Sequence, residues 1–152
     1  MPKAEEKGFE PRIAGFVCNW GAYSALDMAG VNRKKYTPNI QFIRLMCLGR
    51  VHAGLILKAF ELGADGVMLL GCPSGSCHYE FGVDKARKLI VPVGKMLNVL
   101  GLGSRRLHLA QIPADDADLV AREINSFERR IRRLGPSPIK YGNSRIAVPQ
   151  EA

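Results

Sequence analysis

The stretch GVMLLGC (66–72) is an unbroken apolar run framed by glycines, and no charged side chain interrupts it. Such a run is typical of a central parallel strand, which is buried on both faces and therefore shows no alternation. Comparable apolar runs occur at RIAGFVCNW (12–20), NIQFIRLMC (39–47) and RLHLAQIP (106–113). We expect each of them to be a strand, the one at 39–47 being buried over most of both faces.

A segment of helical character follows each predicted strand. These segments are GAYSALDMAGV (21–31), RVHAGLILKAFELG (50–63), VDKARKLIVPVGKMLNVLG (83–101) and ADDADLVAREINSFERRIRRLG (114–135). The last one is the clearest, because it is acidic at its start, basic at its end and carries an apolar stripe at helical spacing. Pro92 in the third segment predicts a kink or a break there.

Four consecutive strand–helix units predict an α/β fold. Right-handed crossovers make the strands parallel and place helices on both faces of the sheet. We therefore predict a three-layer fold with a four-stranded parallel sheet, flavodoxin-like or Rossmann-like, and prefer the flavodoxin-like strand order. Residues 12–136 form a single domain in this prediction, flanked by tails at 1–11 and 137–152 that contain Pro, Gly, Ser and charge without a period.

Composition narrows the class of protein. No apolar stretch of the 152 residues approaches the roughly 20 needed to cross a bilayer, and the polar N-terminus does not resemble a secretory signal. We predict a cytoplasmic protein without a membrane partner.

The formal charge is +8, but part of the excess positive charge lies in NRKKY (32–36) and ERRIRRLG (128–135), where basic side chains interact favourably with the carboxyl ends of helices. We expect no nucleic-acid partner, and a basic docking surface for an acidic protein is at least as well supported.

All four cysteines fall where predicted strands end. Cys18 lies near the end of the first strand, Cys47 ends the second, Cys72 ends the third, and Cys77 follows in the next loop. The carboxyl ends of parallel strands meet at one edge, which is the ligand-binding edge of open α/β sheets. Each cysteine could be a small buried hydrophobe, but chance does not readily place all four at one edge. The pattern predicts a site built from cysteines.

The loop GCPSGSCHYEFG (71–82) is compatible with several kinds of cysteine site. Structural zinc usually uses two tight Cys-x-x-Cys units, which this chain lacks, whereas the Cys-x4-Cys gap suits an iron–sulfur cluster better. In that interpretation Gly71, Ser74 and Gly75 let backbone amides approach the cluster sulfurs, and His78 donates a hydrogen bond to a sulfur or to a partner. A cysteine-dependent redox or phosphatase-like enzyme and a zinc-stabilised interaction domain remain open as alternatives.

Four segments in a specific order carry a resemblance to a known family. They are CNW (18–20), RLMCLGRV (44–51), LKAFELGADGVMLLGC (57–72) and CHYEFG (77–82). Over residues 12–136 the chain resembles the delta subunit of methyl-viologen-reducing hydrogenase.

The resemblance implies a non-catalytic electron-transfer subunit of anaerobic metabolism with a [2Fe–2S] cluster on Cys18, Cys47, Cys72 and Cys77. It implies a hetero-oligomeric complex in which electrons pass between a hydrogenase or formate dehydrogenase and the flavin-bearing subunit of heterodisulfide reductase. The chain departs from the family pattern at Gly21, where the family has a further cysteine, and at Pro73 and Ser76 in the loop.

Overall fold

The unbroken apolar run forms the most deeply buried strand of the fold. The computed structural model describes residues 8–139. Its strands are β1 (Ile13–Cys18), β2 (Ile40–Leu45), β3 (Gly66–Gly71) and β4 (Leu107–Gln111). Its helices are α1 (Ala22–Val31), α2 (Ala53–Glu61), α3 (Gly82–Val99) and α4 (Ala117–Leu134), with short 3-10 turns at Leu48–Arg50 and Ser104–Arg106.

The four strands form one parallel sheet in the order β2-β1-β3-β4. This is the predicted fold class, and the order agrees with the flavodoxin-like arrangement that we preferred. Val17 of β1 lies level with Leu70 of β3 and with Arg44 of β2. All strands therefore finish close together, and the residues that follow them share one edge of the sheet.

Two hydrophobic cores lie on opposite faces of the sheet, because successive side chains of β3 point in opposite directions. Met68 and Leu70 pack in a core with residues of α1 and α4, whereas Val67 and Leu69 pack in a core with residues of α2 and α3. Every residue of β3 is buried. Each fully buried aliphatic side chain of this kind stabilises the fold by about 1.5–3 kcal/mol.

Strand β2 lies at the edge of the sheet and is less buried than the sequence predicted. Ile40 is buried, but Gln41, Ile43 and Arg44 are exposed. The prediction of a strand buried over most of both faces was therefore wrong. The reason is topological, since β2 has a neighbouring strand on only one side.

Helix α3 continues through Pro92 without the break that the sequence allowed. Proline removes the amide that would bond to the carbonyl of Lys88, four residues earlier. Both Pro92 and Lys88 are exposed, so water can satisfy the free carbonyl. The helix therefore continues for 18 residues, from the carboxyl edge of the sheet toward its amino edge.

The amino edge of the sheet contains a buried polar network around Asp65. This side chain is fully buried, and its two carboxylate oxygens accept hydrogen bonds from the backbone amides of Arg12 at 2.9 Å and Ser137 at 2.8 Å. Arg12 precedes β1, and Ser137 follows α4. One carboxylate thus ties both ends of the described chain to the start of β3.

Arg106 completes the network at the start of β4. Its guanidinium is almost fully buried and donates to the carbonyl oxygens of Leu102 at 3.0 Å, Asp65 at 2.9 Å and Gly135 at 2.9 Å. Burial lowers the pKa of Arg106, and the nearby Asp65 charge partly offsets this effect. Phe9 and Ile139, which the sequence assigned to the tails, pack against the two hydrophobic cores, and residues 1–7 and 140–152 lie outside the described part of the chain.

Candidate functional site

The carboxyl edge of the sheet brings the four cysteines together as two pairs. The Sγ atoms of Cys18 and Cys72 are 3.7 Å apart, and those of Cys47 and Cys77 are 4.0 Å apart. All four are free thiols, since both separations far exceed the bond length of a disulfide, about 2.05 Å. Cys18 ends β1 and Cys72 follows the adjacent β3, so strand pairing creates the first pair.

The second pair depends on the turn that follows β2 and on the loop that precedes α3. Cys47 caps the 3-10 turn Leu48–Arg50, and its sulfur accepts a hydrogen bond from the Gly49 amide at 3.4 Å. Cys77 lies in the loop between β3 and α3. The two pairs lie near enough to influence each other, because Cys77 contributes to the raised pKa of Cys72 and Cys18 contributes to the raised pKa of Cys47. The two pairs therefore form a single cluster of four sulfurs.

The sulfur separations fit thiolates that share a metal ion. Two thiolates bound to one tetrahedral metal ion through bonds of about 2.3 Å lie about 3.8 Å apart. Both observed pairs are close to this separation. Within residues 8–139, no group of three or more His, Cys, Asp or Glu side chains is arranged to hold a metal ion. The two short sulfur–sulfur separations group the four thiols in twos, Cys18 with Cys72 and Cys47 with Cys77.

Gly82 allows α3 to begin directly against the second pair. A Cβ atom at this position would overlap the sulfur of Cys47 and would lie 3.2 Å from that of Cys77. Gly49 lies close to the start of α3, because a Cβ there would lie 3.0 Å from the Cα of Gly82, but it would be at an ordinary contact distance of 3.6 Å from the sulfur of Cys47. Gly82 must therefore lack a side chain for the sulfur of Cys47 to occupy its place, whereas Gly49 lets the turn after β2 approach α3.

The start of α3 favours negative charge on Cys77. Burial acts to raise the pKa of this thiol, but the backbone amides of Val83, Tyr79 and Gly82 donate toward its sulfur and lower it below the ordinary value. Val83 and Gly82 belong to the first turn of α3, where amides have no partner within the helix and the helix dipole is positive.

The pKa values of the more buried thiols, Cys72 and Cys47, are raised rather than lowered. Burial and the neighbouring Cys18 raise the pKa of Cys72 to about 12. Burial also raises the pKa of Cys47, although the Gly49 amide opposes the shift. Four thiolates at this edge would repel one another without a cation among them. A metal ion removes this penalty, because a coordinated thiol is deprotonated outright.

Gly71, Ser74 and Gly75, which were predicted to let backbone amides approach the sulfurs, each lie in a different environment. Gly71 ends β3 and lies tightly against the core side chain of Leu48. The hydroxyl of Ser74 donates to the carboxylate of Asp84 at 3.1 Å and accepts from Arg87 at 2.6 Å. Gly75 has a φ of +82°, which a turn requires and which glycine adopts readily.

The amides that reach the sulfurs belong to other residues, namely Gly49, Tyr79, Gly82 and Val83. Sequence reasoning missed this set. Gly49 follows Cys47 by two residues, and Gly82 ends the cysteine loop directly before the predicted third helix, so their placement was the available signal.

His78 stacks on Trp20 and connects two of the loops that carry cysteines. Their ring centroids are 4.0 Å apart with an interplanar angle of 17°, and Tyr79 contacts Trp20 edge-on at 6.5 Å. Trp20 follows Cys18 by two residues, and His78 follows Cys77 directly. Trp20 is 41% exposed, so it lies on the surface beside the cysteines rather than in either core.

Gly21 approaches Cys72 closely. A Cβ at Gly21 would lie 3.0 Å from the Cβ of Cys72 and 3.4 Å from the carbonyl oxygen of Ile112. A larger residue at this position would therefore point toward Cys72 of the first pair and displace its neighbours.

His108 lies away from the cysteines, on β4, where its Nε2 atom is 2.9 Å from a carboxylate oxygen of Glu123.

Comparison with known proteins shows the family to which the chain belongs. A family model described as "methyl-viologen-reducing hydrogenase, delta subunit" matches residues 13–135, which span every strand and helix described above. The chain belongs to this family.

Relatives of the delta-subunit family extend the comparison. The chain is 39% identical over 140 residues to the vhc iron-sulfur subunit of the F420-non-reducing hydrogenase of Methanococcus voltae, covering 92% of this chain and 97% of that one. It is 35% identical over 131 residues to the vhu iron-sulfur subunit of the corresponding hydrogenase of Methanocaldococcus jannaschii, covering 86% and 98% of the two chains.

A third relative is a much longer protein. It is a subunit of the ferredoxin/F420H2-dependent CoB-CoM heterodisulfide reductase of Methanosarcina acetivorans, 36% identical over 139 residues, covering 91% of this chain but 17% of that protein. A domain of this family is therefore also found as one part of a larger chain.

No helix within the described residues is both long and apolar enough to cross a membrane.

Proposed function

We propose that the chain is an electron-transfer subunit that holds one [2Fe–2S] cluster on Cys18, Cys47, Cys72 and Cys77. In this proposal it relays electrons between a hydrogenase or formate dehydrogenase and the flavin-containing subunit of a heterodisulfide reductase-type complex. The observation that carries the proposal is the pairing of the sulfurs at 3.7 Å and 4.0 Å.

The pairing supports a cluster with two irons. Four cysteine thiolates are the usual ligands of a [2Fe–2S] cluster, in which each iron takes two of them. The pair Cys18–Cys72 would bind one iron, and the pair Cys47–Cys77 would bind the other. Each pair has the spacing of two ligands on one metal ion, about 3.8 Å.

The protein surroundings support a group that carries negative charge. Such a cluster supplies a carrier that accepts and releases one electron at a time. The amides of Gly82, Val83 and Tyr79 at Cys77, and that of Gly49 at Cys47, stabilise charge on the sulfurs. Gly82 also keeps a side chain away from both sulfurs of the second pair.

The names of the relatives support the partners in this proposal. Two of them are called iron-sulfur subunits of an F420-non-reducing hydrogenase. Another is named as a subunit of a CoB-CoM heterodisulfide reductase. A hetero-oligomeric complex that joins these two kinds of protein is the setting in which a small carrier subunit would work.

Anaerobic purification tests the proposal directly. The chain should contain two irons and two acid-labile sulfides, with a visible absorption that dithionite bleaches. Each single Cys→Ser change should remove most of the iron, whereas Ser126→Ala on the exposed side of α4 should not. Colourless protein with stoichiometric zinc would overturn the proposal. Retention of the cluster by two or more of the four serine variants would do the same.

A further inference from the structure

The four-residue loop that joins Cys72 to Cys77 separates the two sulfur pairs along the chain. Cys72, before the loop, belongs to the first pair, and Cys77, after it, belongs to the second. The loop forms a tight turn, because the Ser76 amide donates to the Pro73 carbonyl at 3.0 Å and Gly75 adopts a φ of +82°. The position of this turn therefore affects how the two pairs lie relative to each other.

The hydroxyl of Ser74, in this turn, makes three hydrogen bonds. It donates to the carboxylate of Asp84 at 3.1 Å, and it accepts from the guanidinium of Arg87 at 2.6 Å and from the side-chain amide of Gln111 at 3.3 Å. One donated and two accepted bonds are the full capacity of a hydroxyl group. The hydroxyl of Ser76, in the same turn, has no hydrogen-bond partner within residues 8–139.

The three partners of Ser74 belong to α3 and β4, the elements that border the two pairs. Two partners lie in the first two turns of α3, which brings backbone amides to Cys77. The third, Gln111, ends β4, and the residue after it donates its amide at 2.7 Å to the carbonyl of Gly71, directly before Cys72. Ser74 thus joins the loop to one element beside each pair.

We propose that Ser74 is a positioning residue, which holds the loop against α3 and β4 so that the two sulfur pairs keep a fixed separation. This inference rests on the proposed function, because there the two pairs bind different irons of one cluster. A residue of this kind acts through the ligands that it orients. Removal of such outer contacts typically weakens metal binding or activity by about 10–100-fold.

The network around Ser74 lies at the surface of the fold. Ser74 and Arg87 are exposed, and Asp84 and Gln111 are partly exposed. Water competes for polar contacts at such positions, so they contribute little to the free energy of unfolding. Loss of the network should therefore alter the cysteine site while leaving the stability of the metal-free chain unchanged. This combination separates a positioning role from a structural one.

The test compares two serine variants of the same turn, Ser74→Ala and Ser76→Ala, in the full chain loaded with its cluster under anaerobic conditions. Each variant loses one hydroxyl group, but only the first loses the network. The rate of iron release to a chelator is measured by absorbance, and urea denaturation of the metal-free proteins measures stability. We expect Ser74→Ala to release iron about tenfold faster than the unaltered chain, with the same urea midpoint. Ser76→Ala should release iron at the unaltered rate.

A conservative variant and a spectroscopic signal sharpen the test. Ser74→Thr keeps the hydroxyl and should release iron close to the unaltered rate. The reduced cluster in Ser74→Ala should give a broader electron paramagnetic resonance signal, because the two ligand pairs are no longer held at one separation. If Ser74→Ala retains no iron after purification, Arg87→Ala and Gln111→Ala provide the rates instead. Each removes one donor to the hydroxyl, and both should release iron faster than Ser76→Ala.

Three outcomes would overturn the positioning inference. One is iron release from Ser74→Ala, or from both donor variants, at the rate of Ser76→Ala. Another is release from Ser74→Thr as fast as from Ser74→Ala. The third is a loss of stability in metal-free Ser74→Ala, which would show a structural role. Absence of iron from the unaltered chain would instead contradict the proposed function, so the two failures are distinguishable.

Discussion

The two edges of the sheet differ in how far the protein supplies hydrogen-bond partners for their buried polar groups and thiols. At the amino edge, the chain itself supplies partners for Asp65 and Arg106, namely the amides of Arg12 and Ser137 and several carbonyls. At the carboxyl edge, four sulfurs face one another, and few donors reach them. The first edge is completed by its own hydrogen bonds, whereas in our proposal an iron–sulfur cluster completes the second. This difference separates residues that hold the fold together from residues that do its chemistry.

The largest expected effect is on the cluster, and it comes from the carboxyl edge. Cys72→Ser should abolish cluster assembly, because the remaining sulfur of that pair cannot supply an iron with two thiolates. The metal-free protein should lose only about 1 kcal/mol of unfolding free energy, since the change removes no fully paired polar group. Iron content and urea denaturation of the metal-free protein measure the two effects. A loss of several kcal/mol would show that this cysteine holds the fold together.

Asp65→Ala should give the reverse result at the amino edge. The change removes the acceptor of the buried Ser137 amide and of the part-buried Arg12 amide, and it removes the charge next to buried Arg106. We expect a loss of about 3 kcal/mol in urea denaturation, while the folded fraction still assembles the cluster. Glu61→Ala, which breaks an exposed pair with Lys58, is the control and should cost less than about 1 kcal/mol. Equal losses in the two variants would contradict the distinction between the edges.

The sequence predicted the carboxyl edge better than the amino edge for a physical reason. The cysteines end apolar runs, and parallel strands deliver the ends of such runs to one place. Asp65 and Arg106 lie in the segments before β3 and β4, and nothing local distinguishes them from surface charges. Their burial depends on contacts with the residues that follow α4. The spacing of apolar residues along the sequence does not predict such contacts.

The pairing of the sulfurs and the contacts of the residues around them could not be predicted from the sequence either. Which sulfurs form pairs depends on β1 lying between β2 and β3 and on the path of the loop before α3. The importance of Gly82 depends on how closely α3 approaches the turn after β2. That Ser74 helps backbone amides approach the cluster sulfurs stays a prediction, and its hydroxyl is bonded to Asp84 and Arg87. Spacing along the chain identified the loop but not the direction of its side chains.

Gly82→Ala should affect assembly and stability together, to a smaller extent. The added methyl group must push the sulfur of Cys47 or the start of α3 out of place, which costs about 1–3 kcal/mol. We expect iron content to fall by more than half. Gly30→Ala is the matched control, because it lies in α1 with no atom within 4 Å of the added Cβ. That change should leave iron content unaltered and should stabilise the fold by about 0.5–1 kcal/mol. Normal iron content in the Gly82 variant would show that the start of α3 is not part of the site.

The smallest effect concerns the two kinds of thiol within the carboxyl edge. In the metal-free protein, the amides of Val83, Tyr79 and Gly82 outweigh burial and lower the pKa of Cys77, whereas burial raises the pKa of Cys72 to about 12. A lower pKa means a larger thiolate fraction at neutral pH, and the thiolate is the form that reacts. Iodoacetamide at about neutral pH should therefore modify Cys77 before Cys72, as measured by mass spectrometry of peptides. In concentrated urea the amides and the burial are both lost, and the two rates should become equal. If Cys72 reacts first in the folded protein, the start of α3 does not stabilise charge on Cys77, and the electrostatic support for a cluster at this edge fails.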